Sequence, residues 1–276
     1  MIKDQGLDFI ADRIKREQYF DMKQSHFHPY YEIYYLYSGK RRFFVNDTLY
    51  TLGRGDILLI NKNVLHRTTY ISDETHERFA LNFSDKYLEP FMDKSVKQQI
   101  LDCFEQPLLS IQLNRRDYIE DLFQKIINES NHLDEFSSRL MENYFQELII
   151  FLIRYQKSNV ASIMPASLTD EIIQNTAKYI RQNYTQNITL DLAASHANMS
   201  ATYFSKKFKT VTGFGFKEYL CNIRLTEASK RLLETNDSIT TIALECGFSD
   251  SNYFGDVFKK LKGISPLQYR KTRELI

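Results

Sequence analysis

AASHANMSATYFSKKFKTVTG, from Ala193 to Gly213, aligns without a gap on ALECGFSDSNYFGDVFKKLKG, from Ala243 to Gly263. The pairs Ala193/Ala243, Tyr203/Tyr253, Phe204/Phe254, Phe208/Phe258, Lys209/Lys259 and Gly213/Gly263 keep one constant offset, which continues to Tyr219/Tyr269. Self-similarity of this kind marks one supersecondary unit used twice. In the second copy Ile239, Ile242 and Ala243 give a short apolar stripe, and Gly247 permits a tight turn. Ser249 is the expected N-cap of the next helix, whose buried face is expected at Tyr253, Phe254, Val257, Phe258 and Leu261. Thr189, Ala197-Asn198, Ser200 and Gly213 take the same parts in the first copy, where Tyr203, Phe204, Phe208 and Val211 are expected to point to the core. Each copy therefore reads as helix, turn, helix, a pattern whose second helix lies in a DNA major groove.

The surrounding sequence has a matching rhythm. Asp170 to Asn183 reads as a helix with Ile172, Ile173, Ala177 and Ile180 inward. Phe216 to Leu233 reads as one long helix between the repeats, and Ser265-Pro266 opens a last helix with an N-cap and a proline at its first position. The segment from Ala166 onward holds 15 Lys+Arg against 11 Asp+Glu, while the preceding segment holds 21 against 24. A basic half joined to an acidic half suits one nucleic-acid-binding domain and one that is not.

Residues 1 to about 82 read as β. Tyr31 to Tyr37 is aromatic and β-prone, and Arg42–Val45 and Thr48–Leu52 flank the turn signal Asn46-Asp47. Ile57–Ile60 and Arg78–Phe83 are further strands, and short strands with close turns suggest a sandwich or small barrel. Beyond Asp85 the period changes. Ile119, Leu122, Phe123, Ile126 and Ile127 share one helical face, and Leu140, Tyr144, Phe145, Leu148, Phe151, Leu152 and Tyr155 share a second. A helical hairpin is expected at about Arg115–Ser130 and Ser137–Gln156. It either covers the β-domain, makes a dimer, or does both. The low-periodicity stretch near Lys157–Ala166 is the expected linker. The domain division is then 1–157 (barrel about 1–84, helices about 85–157), linker 158–168, and 169–276.

With 276 residues, 43% hydrophobic and 26% charged, the chain is expected to fold as two domains rather than stay disordered. No apolar run approaches the length of a bilayer span, and Met1-Ile-Lys-Asp-Gln-Gly lacks the apolar core of a signal peptide. Cys103, Cys221 and Cys246 are scattered, which suits a reducing compartment. A cytoplasmic protein with no membrane partner is expected.

Ile239-x-x-Ile242-Ala243-x-x-x-Gly247-Phe248, then Tyr253-Phe254-x-x-x-Phe258-Lys259, then Gly263-x-x-Pro266-x-x-Tyr269-Arg270, resembles the signature of AraC-type transcription regulators over about the last hundred residues. The resemblance implies seven helices carrying two helix-turn-helix motifs, docked by one monomer in successive major grooves. Phe216 departs from the pattern where the second copy has Pro266. On the helical faces, Thr202, Ser205, Lys206 and Lys209 point outward in the first recognition helix. Ser251, Asn252, Gly255, Asp256 and Lys259 do so in the second. Lys206 suits guanine and Asn252 adenine; Lys209, Lys259 and Lys260 suit phosphate. Asp256 repels phosphate unless it accepts from a cytosine amine, so the first helix is expected to carry more of the readout.

In the N-terminal half, His26-x-His28-x-x-x-Glu32 with Gly39, followed by Gly55 and His66, resembles the cupin motifs. The second motif is degraded at Asn61 and Asn63. The resemblance implies His26, His28, Glu32 and His66 as ligands of a divalent metal; no other cofactor is expected. His26, His28 and Glu32 share strand parity, and imidazole and carboxylate suit Zn, Fe, Mn or Ni. The alternative is a polar floor that hydrogen-bonds an effector through His26, His28, Tyr30, Glu32, Tyr34 and His66. Tyrosine beside His and Glu suits a sugar-sized ligand, unless these tyrosines only pack the barrel.

The expected fold class is α+β in two domains: an N-terminal cupin-like β-barrel with a helical hairpin, then an all-α domain with two helix-turn-helix motifs. The expected function is sequence-specific transcription regulation controlled by a small-molecule, sugar-like effector. The partners are double-stranded operator or promoter DNA, the effector, a second copy in a homodimer, and RNA polymerase. The rival readings are a constitutive DNA binder with a scaffold barrel and a metal-dependent cupin enzyme fused to a DNA-binding domain; the first reading is of a protein that is not an enzyme.

Overall fold

Strand β2 (Tyr31–Ser38) is buried on both faces, and this divides the N-terminal unit into two cores. The structure is a computed structural model and describes residues 9–17, 28–71, 75–91, 93–132, 134–158 and 167–272. Two units are found, a β-rich one within residues 1–165 and a helical one built on 166–276. The expected linker falls largely on residues 159–166, outside the described residues, as does His26.

The β unit has a five-stranded sheet in the order β1-β7-β2-β5-β8 and a three-stranded sheet in the order β4-β3-β6. The strands are β1 (Phe9–Arg16), β2, β3 (Arg41–Val45), β4 (Thr48–Leu52), β5 (Asp56–Ile60), β6 (His66–Tyr70), β7 (His76–Phe83) and β8 (Leu108–Ser110). Strands β1, β6 and β8 were not read from the sequence. Because side chains alternate along a strand, Tyr31, Ile33, Tyr35 and Tyr37 point one way and Tyr34 and Leu36 the other. The first set packs under helices α1 (Lys94–Glu105), α2 (Leu113–Asn131) and α3 (Ser137–Ser158). There Phe79 stacks on Phe123 at 4.1 Å, and Tyr35 tilts against Phe123 at 5.2 Å. The second set meets Phe43, Val45, Leu52, Leu58 and Ile60 between the two sheets. The helical hairpin thus covers the β-sheet, as one of its two expected roles requires.

The helical unit has seven helices among the described residues: α4 (Leu168–Gln182), α5 (Leu190–His196), α6 (Ala201–Thr212), α7 (Phe216–Glu234), α8 (Ile239–Glu245), α9 (Ser251–Lys262) and α10 (Pro266–Lys271). Most starts are set by a side-chain cap: Ser167, Thr189, Ser200, Ser238 and Ser265 each accept from a backbone N–H of the first turn. The α9 cap is Asp250 and not Ser249; its carboxylate accepts from the backbone N–H groups of Asn252 and Tyr253 at 2.9 and 2.8 Å. A carboxylate there outcompetes a hydroxyl one residue further out, because it reaches two orphan N–H groups at once. Gly213 and Gly263 close α6 and α9 in the left-handed region. Gly247 makes the second turn at φ 87°, where an added Cβ would lie 2.7 Å from the Tyr184 carbonyl oxygen. In the first copy Asn198 supplies the positive φ, 53°.

Candidate functional site

The recognition helices α6 and α9 bury Phe204 and Phe208, and Phe254 and Phe258, one helical turn apart. The first pair packs tilted at 5.3 Å and the second edge-to-face at 5.4 Å, and each ties its helix to the core. Thr202, Lys206 and Lys209 are exposed and Ser205 is half-buried; in α9 Asn252, Asp256 and Lys259 are exposed and Ser251 and Gly255 half-buried. All nine expected contact residues therefore lie on the outward side of their helices.

Tyr203 and Tyr253 are turned outward as well. They were expected on the buried face, yet they are 54% and 53% exposed. Leu261 is likewise exposed, at 50%. For the two tyrosines the reason is angular. With Phe204 and Phe208 at i and i+4 centred on the core, the residue before Phe204 stands about 100° away, at the flank of the outward face. The faithful duplication of this tyrosine, read from the sequence as packing, places two aromatic rings on the surface. Asp250 was also missed. It sets a carboxylate at the N-terminus of the second recognition helix, where the first has the neutral Ser200.

The barrel site is built from two segments. His28 lies before β2, not on it: the bend at Pro29-Tyr30 brings its ring back beside Glu32. The shared strand parity inferred for this residue therefore gave the right neighbour by the wrong route. His28 Nε2 lies 3.2 Å and His66 Nε2 3.5 Å from Glu32 Oε2. One ligand atom from each of the three groups lies within 4.8 Å of the others. His28 Nδ1 lies 2.8 Å from the Tyr30 carbonyl oxygen and His66 Nδ1 2.9 Å from that of Val64. Carbonyls only accept, so both Nδ1 atoms carry protons and both Nε2 atoms are turned to the carboxylate. Burial pushes the Glu32 carboxyl up, but hydrogen bonds from His28 and His66 outweigh it and hold the group well below the usual carboxylate range.

Tyr30 is half-buried and stacks on the His28 ring at 3.9 Å, so it braces the site. Tyr34 faces between the sheets, edge-on to Phe43 at 4.7 Å. Burial pushes its hydroxyl up to about 12, against the pull of Arg41 and Arg78. The structure thus brings together His28, Glu32, His66 and Tyr30, with Tyr34 one strand pleat beyond; Arg41 and Arg78 were not singled out from the sequence.

Two family descriptions match the chain: an AraC-like ligand binding domain over residues 13–149 and a helix-turn-helix domain over residues 193–272. Among relatives, the HTH-type transcriptional activator RhaR of Escherichia coli (strain K12) is 26% identical, with 97% of this chain and 92% of that protein covered. YisR of Bacillus subtilis (strain 168), an uncharacterized HTH-type transcriptional regulator, is 26% identical, with 87% and 85% covered. Among solved structures, the C-terminal domain of AraT, a response regulator from Geobacillus stearothermophilus, is 36% identical over 38% of this chain and 88% of that one, with a TM-score of 0.37. A ligand-binding barrel domain followed by seven helices that carry a duplicated helix-turn-helix places this chain in the AraC family of DNA-binding transcription regulators.

Proposed function

We propose that a small, sugar-like effector binding in the barrel controls how this regulator engages its operator. The observation that carries the reading is the barrel's three-residue polar cluster, His28, Glu32 and His66, set beside Tyr30 and Tyr34 in the barrel interior. Flat aromatic faces beside hydrogen-bonding groups are the chemistry a sugar needs. The effector acts by favouring one arrangement of the regulator over another; equal affinity for both would shift nothing. The barrel is a binding site in this reading, not an enzyme centre. The protein works in the cytoplasm as a homodimer and meets RNA polymerase at the promoter. Exposed Tyr118, Phe136 and Ile150 on α2, α3 and the turn between them support that hairpin as the dimer surface.

The same cluster fits a divalent metal. Two imidazoles whose Nδ1–H groups are committed to carbonyls aim their Nε2 atoms at one carboxylate, and a bound ion would take the place of the protons there; the carbonyl partners fix each ring in the orientation a ligand needs. His28, Glu32 and His66 would hold the ion, with His26 as the fourth ligand the cupin resemblance implies. A bound ion would offer a Lewis-acid point for effector hydroxyls.

At the DNA, Thr202, Ser205 and Lys206 read bases from α6, while Ser251 and Asn252 do so from α9. Lys209 and Lys259 hold phosphates. Gly255 supports close approach of α9 to the duplex. A mid-helix glycine costs about 1 kcal/mol against alanine, and nothing beyond its own stretch of helix backbone lies within 4 Å of where its Cβ would stand. The test is operator binding by the purified full chain with and without a sugar panel. Affinity that changes with one sugar supports the reading; affinity that no sugar changes favours a constitutive binder.

A further inference from the structure

The two helix-turn-helix motifs differ in their turns. Two residues, Asn198-Met199, lie between the α5 C-cap Ala197 and the α6 N-cap Ser200. Three, Gly247-Phe248-Ser249, lie between the α8 C-cap Cys246 and the α9 N-cap Asp250. The backbone bonds correspond across the turns. Asn198 N–H donates to the Ser195 carbonyl and Met199 N–H to that of Ala194, as Gly247 N–H does to Leu244 and Phe248 N–H to Ala243. Asn198 and Gly247 are therefore equivalent, and both have positive φ. Asparagine meets that conformation in the first copy, so conformation alone does not demand glycine in the second.

What demands it is a neighbour. The loop from α4 to α5 runs over the second turn. A Cβ on Gly247 would lie 2.7 Å from the Tyr184 carbonyl oxygen, 2.9 Å from Arg224 Nε and 3.0 Å from Thr185 Cα. Arg224, half-buried on α7, donates from Nε to that same carbonyl and from Nη2 to the Gln186 carbonyl, both at 2.8 Å. The Gln186 carbonyl also accepts from Ile188 N–H at 2.9 Å, which fixes the loop just before Thr189 caps α5. One guanidinium thus clasps the lead-in to the first motif against the turn of the second. In the first copy the equivalent place is open: Asn198 lines a cleft of about 660 Å³ with Asn175, His196 and Tyr203.

Because helix ends fray, α7 alone would let each motif swing about its end. A second contact, off the α7 axis, removes that swing. We propose that Arg224, with Gly247 making room for it, is a spacing gauge for the operator. The clasp holds the two recognition helices at one separation and one rotation, so half-site spacing is selected through a contact between motifs rather than with a base. This rests on both recognition helices reading one operator. Inserting one base pair between the half-sites moves one of them by roughly 3.4 Å and turns it by roughly 35° about the duplex. A clasped pair of helices cannot follow; an unclasped pair can swing towards it.

The test is fluorescence anisotropy of the full chain on its promoter fragment and on two fragments with one base pair inserted or removed between the half-sites. Arg224→Lys keeps the charge and gives up the paired donors. Gly247→Asn keeps a residue that tolerates positive φ and sets a side chain against the Tyr184 carbonyl. Each variant is first shown to melt cooperatively. The wild type should bind the respaced fragments roughly tenfold or more below the parent, and in both variants that ratio should shrink to about threefold or less. Lost stability alone would weaken all three fragments by one factor and leave the ratio where it was. A variant that melts cooperatively and keeps the wild-type ratio refutes the gauge and leaves the two-motif reading intact. If the wild type itself binds all three fragments alike, the gauge and that reading fall together.

Discussion

Asp250 caps the second recognition helix with a negative charge, at the end of the helix that enters the groove first. Replacing it with serine separates two effects. Helix stability should change by only a few tenths of a kcal/mol, because serine caps about as well as aspartate and already does so at Ser200 in the first copy. DNA affinity should rise. A carboxylate about 7 Å from one phosphate costs about 0.6 kcal/mol in water, or about threefold in affinity at low salt. With a Debye length of about 8 Å at physiological salt, the gain shrinks to about 1.5-fold. Fluorescence anisotropy of the full chain on a labelled promoter fragment, titrated across salt, measures both limits. A tenfold loss of affinity for Asp250→Ser, with an unchanged melting temperature, would refute the reasoning. Asp250 would then be accepting from a base amine, not repelling phosphate.

Lys206→Ala and Asn252→Ala should each cost about 1–3 kcal/mol of discrimination at one base pair, with the larger loss of binding from Lys206; Lys209→Ala should weaken all sequences alike and flatten the salt slope by about 1, as binding to single-substitution operators would show. Glu32→Gln should weaken Zn or Mn binding roughly tenfold or more and remove metal-induced stabilisation, read by equilibrium dialysis and Tm; unchanged metal stoichiometry would leave the cluster as a hydrogen-bonding floor. His76 has a folded value near 4, below its ordinary 6.5, so the unfolded chain binds a proton that the native one refuses. Its contribution to stability is therefore intact above pH 6.5, falls as pH drops towards 4 and then levels; His76→Asn should flatten that part of the urea-midpoint profile.

The helical unit was legible because its signals are local. Period, caps and turn residues all lie within a few positions of one another, and the repeat states them twice. What misled there was the assumption that a duplicated aromatic is a buried one: Tyr203 and Tyr253 show that duplication preserves surface chemistry as well. The β unit was legible only where strands are buried on both faces, as in Tyr31–Tyr37. Strand β1, half-exposed along its length, and β6, which reads HRTTY, carry no apolar alternation. Their place is set by pairing with β7 and β3, which are distant in sequence. For the same reason His28, Glu32 and His66 were found from a motif. Arg41 and Arg78, which belong to no motif, became visible only when register put them on the same interior.

The most direct measurement is a hydroxyl-radical footprint of the full chain on its promoter, compared with that of Lys206→Ala and Asn252→Ala. Two recognition helices on one monomer should protect two successive major grooves, roughly 34 Å apart on one face of the duplex. Lys206→Ala should erase one patch and Asn252→Ala dim the other. Protection confined to a single groove, or both patches fading together with either substitution, would contradict a duplicated scaffold that reads two different half-sites.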